Sequence, residues 1–74
     1  MDFAERVLDL RKARSLTQKQ LAANAGLSEI GVQSYERRVR KPTHDALISL
    51  ADFFDVSLDY LVGRTDNPQV LRGA

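Results

Sequence analysis

The stretch from Thr17 to Glu36, TQKQLAANAGLSEIGVQSYE, constrains this chain more than any other. Thr17 is a helix N-cap residue, and Gln20 three positions on completes a capping box. Leu21, Ala22 and Ala25 share one helical face. Gly26 accepts a positive φ and so ends that helix within a residue or two. Ser28 is the next N-cap, and Glu29 suits the positive end of the helix that follows. Val32 and Tyr35, four and seven positions after Ser28, turn inward together. Glu29, Ile30, Gln33 and Ser34 are left on the outward face. Gly31 inside this second helix costs roughly 1 kcal/mol relative to Ala, which calls for a steric reason: close approach of another backbone, or a clash avoided.

Helical signals continue on both sides. Asp2 caps a first helix with Glu5 at the capping-box position. Phe3, Val7 and Leu10 form its inward stripe, and Leu8 lies off it. Arg6, Arg11, Lys12 and Arg14 give it a cationic side, about half of which reads as a solvated face. The run RRVRKP over residues 37–42 makes a stiff basic loop ended by Pro42. Thr43 caps a fourth helix with Asp45 in its first turn. Leu47, Leu50, Ala51 and Phe54 repeat at helical spacing, and Ile48 and Phe53 widen that face. Ser57 caps a short fifth helix from Leu58 to Val62, ended by Gly63. No period-2 alternation is long enough to argue for a strand. The expected fold is all-α, a compact five-helix bundle over residues 1–63. A tail over residues 64–74 follows, with a turn at Asp66-Asn67-Pro68. Its Val70 and Leu71 are free to dock on the body or on a partner, and its last residues are expected to be mobile.

The chain has 74 residues and no cysteine, so a single small domain must hold together without disulfides or thiolate metal sites. No apolar run approaches the ~20 residues of a membrane span, and no signal peptide opens the chain, which points to a cytoplasmic protein. Net charge is only +1, but residues 1–41 carry nine Lys/Arg against five Asp/Glu, and residues 42–74 two against five. The basic end therefore coincides with the Thr17–Glu36 unit, where phosphates would sit. There is no P-loop, dinucleotide fingerprint or GxSxG. His44 has no ligating or catalytic companions nearby; a solvent-facing place in the fourth helix is expected, with a weak phosphate contact as the alternative. No enzyme activity, metal, cofactor or small-molecule ligand is expected.

Two helices across a glycine turn, the second exposed, are what a helix-turn-helix DNA reader requires. The words LRKARSLTQKQLA, AGLS, VQSYERR, RKPTHDALISLADFF and VSLDYLVG, covering roughly Phe3 to Gly63, resemble the lambda-repressor/Cro-like, XRE-type helix-turn-helix family. The resemblance implies a lambda-repressor-like DNA-binding domain whose Glu29, Ile30, Gln33 and Ser34 occupy base-reading positions. Chemically, Glu29 suits a cytosine amino group, Ile30 a thymine methyl and Gln33 an adenine, while Ser34 suits several bases. The resemblance also implies that Gln18 bridges the second helix to a phosphate. It further implies that Arg11 pairs with Glu36, anchoring the reading helix and presenting Arg11 to the backbone. Ser28, Arg38, Arg40 and Lys41 are further phosphate candidates. Ser15, Arg38 and Asp55 stand where relatives often carry Gly. The implied function is a transcriptional regulator, a repressor in the commoner mode, binding a pseudo-palindromic site on double-stranded DNA as a homodimer. The interface candidates are Leu58, Val62, Val70 and Leu71, the first two equally readable as core. The rival expectation is an antitoxin or co-regulator that works mainly by binding another protein.

Overall fold

A computed structural model describes residues 1–70. It contains α1 (Phe3–Ala13), α2 (Gln18–Ala25), α3 (Glu29–Glu36), α4 (His44–Phe54) and α5 (Leu58–Leu61), with no strand among the described residues. Each helix starts on the side chain the sequence nominates. The oxygens of Asp2, Thr17, Ser28, Thr43 and Ser57 accept from the N–H groups of Glu5, Gln20, Gly31, Ala46 and Tyr60 at 2.9–3.1 Å. Each bond satisfies one of the donors a helix start leaves unpaired. Reciprocal capping boxes close at Asp2–Glu5 and Thr17–Gln20.

The helices also share one way of ending. A residue with positive φ follows each of them: Ser15 (56°), Gly26 (71°), Arg38 (61°), Asp55 (55°) and Gly63 (84°). The next N–H then reaches back five residues. Leu16 donates to Arg11 O at 3.1 Å, Leu27 to Ala22 O at 2.8 Å and Val39 to Ser34 O at 2.9 Å; Val56 donates to Ala51 O at 3.0 Å and Arg64 to Asp59 O at 2.8 Å. This is the closing bond of the Schellman motif. Three of the five left-handed residues carry a side chain, at a cost of roughly 1–2 kcal/mol each, least for Asp55 because Asp tolerates the conformation best. At Gly63 a second constraint applies: a Cβ there would overlap the Met1 carbonyl oxygen.

Val7, Leu21, Val32, Leu50 and Leu61 are fully buried and come from all five helices. α2 and α3 pack against each other, α3 rests on α1, and α4 bridges α2 and α5. The Phe3 ring meets Tyr35 edge-on at 5.8 Å, adding to the α1–α3 contact.

The structure corrects one reading and sorts the α1 cations, of which Lys12 and Arg14 are exposed. α5 is one residue shorter than expected, with Val62 as its C-cap. Arg6 is not on a solvated face: it is 7 % exposed, lies 3.7 Å from the centre of the Tyr60 ring, and donates to Tyr60 O at 3.1 Å and Thr65 O at 3.4 Å. Arg14 donates to Phe53 O and Phe54 O at 3.2 and 3.0 Å, placing its charge at the negative end of α4. Residues 64–70 turn back along the body, held by Arg6 and by a 3.0 Å bond from Ser57 N to Pro68 O.

Ser15 isolates the cost of a left-handed stop. Ser15→Gly is expected to stabilise the fold by about 1 kcal/mol, strain relief outweighing the added freedom of the unfolded chain. Thermal unfolding should show a rise in Tm of roughly 4–8 °C.

Candidate nucleic-acid interface

α3 is positioned at three places. At its start, the Gly26 turn and the Ser28 cap set the angle between α2 and α3. Along its inner face, Val32 is fully buried and Tyr35 is nearly so. At its end, the Glu36 carboxylate accepts from Arg11 Nε at 2.7 Å, Arg11 Nη2 at 3.0 Å and Gln18 Nε2 at 2.9 Å. Arg11 Nη1 adds a 2.8 Å bond to Leu16 O. The two charged side chains are 13 % and 6 % exposed. The hydrogen bond that Arg11 donates to Glu36 raises its guanidinium above its usual pKa, against the opposing effect of desolvation. One carboxylate thus locks α3 to α1 and α2, in the Arg11–Glu36 pairing the resemblance implies.

The outer face of α3 is led by Ile30, 70 % exposed. Glu29 is also exposed, while Gln33 and Ser34 are half-buried. The Gly31 N–H is held by Ser28 Oγ at 2.9 Å, and a Cβ at residue 31 would sit 2.9 Å from that same oxygen. The glycine therefore has a local reason: a side chain would press on the hydroxyl that caps its own helix.

Among the phosphate candidates, Ser28 is exposed, and its O–H remains free to donate while the oxygen caps α3. Gln18 is half-buried and gives one amide N–H to Glu36, leaving the other. Arg40 and Lys41 are exposed. Arg38 is held instead by Asp2, with Nε 2.8 Å from Oδ2 and Nη2 3.1 Å from Oδ1. That bond and the Glu5 N–H bring the Asp2 carboxyl down to about 2. Helical periodicity gives no role to Val39, which is 77 % exposed inside the basic loop. The signal was present in its position: it directly follows a left-handed stop, where Leu16 and Leu27 are half-buried and Val56 buried, whereas Val39 is exposed.

Away from this face, Leu58 (40 % exposed) joins Ile48, Val56 and Val70 in an open groove rimmed by Asp52, Asp55 and Asp59. Val62 is half-buried. Leu71 lies outside the described residues. His44 is exposed at the first position of α4. No helix among the described residues is long and apolar enough to cross a membrane.

A helix-turn-helix family model matches residues 7–61. The uncharacterized HTH-type transcriptional regulator YobD of Bacillus subtilis is 42 % identical over 66 residues, 89 % of this chain and 59 % of YobD. The cryptic phage CTXphi transcriptional repressor RstR of Vibrio cholerae is 38 % identical over 73 residues, 96 % of this chain and 65 % of RstR. The chain thus spans about three-fifths of the length of these relatives. Among solved structures, the P22 c2 repressor in complex with synthetic operator 9T superposes with a TM-score of 0.78 at 27 % identity, covering 84 % of this chain and 94 % of that one.

Breaking the anchor from one side leaves a charge without its partner. Glu36→Ala is expected to cost about 3 kcal/mol in urea unfolding. Combining Arg11→Met with Glu36→Leu should recover most of that loss, since an apolar replacement of both partners is often close to neutral.

Proposed function

Because the chain belongs to the helix-turn-helix family, we propose that it is a sequence-specific regulator of transcription that lays α3 in the major groove of double-stranded DNA. The observation that carries this reading is Ile30. A large apolar side chain is 70 % exposed at the crest of a helix whose opposite face and far end are locked in place. Glu29, Gln33 and Ser34 flank it and supply acceptors and donors for base edges. Ser28, the spare N–H of Gln18, and the exposed Arg40 and Lys41 border the same helix and supply phosphate contacts. Arg11 acts first as a strut, with its two remaining N–H groups near the backbone path.

Repression by occupying the operator is the mode this reading favours, in the cytoplasm where that DNA lies. The P22 c2 repressor, bound to its operator in the matched structure, and the repressor RstR support it. One module touches few base pairs, so the operator is read as pseudo-palindromic and bound by two copies, with reading helices about 34–36 Å apart. Leu58, Val62 and Val70 are the described residues available for that contact, and DNA reinforces it by linkage.

A second reading, a protein-interaction module, is favoured by the groove at Leu58. Its aspartate rim suits a basic partner better than the same acidic face of a second copy. The two readings separate on salt. A DNA reader loses affinity with a slope of about −0.9 per neutralised phosphate, whereas an interaction module shows a flat response on duplex DNA.

Selection from a random duplex library should enrich a two-fold symmetric site; failure to enrich any site, with a flat salt response, would overturn the DNA reading. Gln33→Ala should relax preference at one base pair per half-site, by ~1–3 kcal/mol. Arg40→Ala should weaken binding to all sequences alike and flatten the salt slope by about one.

A further inference from the structure

The basic loop after α3 is less basic than its sequence. Arg37, Arg38, Arg40 and Lys41 are all exposed, yet Arg38 already holds an anion. Its Nε and Nη2 meet the two oxygens of Asp2 at 2.8 and 3.1 Å, the bidentate arrangement with which an arginine grips a phosphate. Glu5 Oε1 lies 3.6 Å from the same Nη2. With two carboxylates around one guanidinium, the charges of this trio sum to −1, so Arg38 offers no net positive charge to an approaching phosphate.

The competing carboxylate is fixed before any ligand arrives. Asp2 Oδ1 caps α1 through the Glu5 N–H at 3.0 Å, and Glu5 Oε1 reaches back to the Asp2 N–H at 3.3 Å. The backbone that carries the arginine is fixed as well, because residue 38 is the left-handed stop of α3 (φ 61°) and the Val39 N–H bond to Ser34 O closes behind it. A phosphate would have to displace an acceptor that is intramolecular and already ordered.

We propose that Asp2 and Glu5 act as an internal phosphate mimic that withholds Arg38 from DNA, leaving Arg40 and Lys41 as the loop's backbone contacts. This rests on the DNA reading above and revises the place of Arg38 within it. The device removes one sequence-independent contact. Because backbone contacts are shared by specific and non-specific complexes, it lowers affinity for every duplex and makes binding less dependent on salt.

The test is a mutant cycle read by salt dependence on operator and on random duplex. Asp2→Asn keeps the cap, since Asn caps as well as Asp, and Glu5→Gln keeps the capping box. In the unmodified chain, Arg38→Gln should leave the salt slope unchanged. With both acids neutralised, Arg38 should become a phosphate contact. The slope then steepens by about 0.9, an extra loss of roughly 3.5-fold in affinity between 50 and 200 mM salt. Arg38→Gln in that background should abolish the Arg38-dependent part. Arg38→Gly, which also removes the left-handed strain, should behave like Arg38→Gln in both backgrounds. A flattening by about one on Arg38→Gln in the unmodified chain would overturn the proposal, because Arg38 would already be on a phosphate. So would equal effects of Arg38→Gln in the two backgrounds. A flat salt response of the unmodified protein would overturn the DNA reading and this inference with it. A steep one that Arg40→Ala flattens, with no cycle coupling, would overturn this inference alone.

Discussion

One withdrawn carboxylate sets the aim of the whole outward surface. α3 has eight residues, too few to be stable as a helix by itself. It ends on a glutamate, which the negative end of a helix disfavours. Arg11 reverses that penalty by bringing a guanidinium to Glu36 from α1, and Gln18 adds a neutral donor from α2. The value of this cluster lies in orientation rather than in raw stability, since apolar groups of similar size often stabilise as well. Apolar packing alone would leave α3 more freedom to roll about its axis. Three hydrogen bonds to one carboxylate remove that freedom.

The helix boundaries show which parts of a fold are written locally. All five starts were legible, because an N-cap bonds a group three residues away and needs nothing from the rest of the chain. The stop at Gly26 was legible for the same reason. The stops at Ser15, Arg38 and Asp55 were not, on composition alone; they were visible only through the resemblance, as positions where relatives carry Gly. The backbone keeps the left-handed turn there because the closing bond and the packing on either side require it, and the side chain bears the strain. The fifth helix came out one residue too long for a related reason: Val62 fits the apolar pattern, but its backbone has already left the helix.

The outward face of α3 was legible in the same way. Ile30 follows from periodicity once Val32 and Tyr35 are placed inside. The destinations of Arg6, Arg14 and Arg38 were not legible. A helical wheel gives the direction of the Cα–Cβ bond, whereas a long side chain runs along the surface to wherever an acceptor lies. For Arg6 those acceptors are 54 to 60 residues further along the chain, and for Arg14 they are 39 and 40 residues away. Arg38 reaches back 36 residues to Asp2. Of the cations that sequence alone assigns to solvent or phosphate, several therefore serve as internal fasteners, and net charge by segment overstates the field at the outer face of α3.

The clamped ends of α3 also bear on how recognition would proceed in time. A short helix that ordered only on contact would give up part of its interaction free energy to the loss of chain entropy, and its arrival would involve a folding step. Here that entropy is surrendered when the domain folds. On the DNA reading proposed above, the encounter would be the meeting of two shapes already formed, and discrimination among duplexes would shift to how long each one is retained.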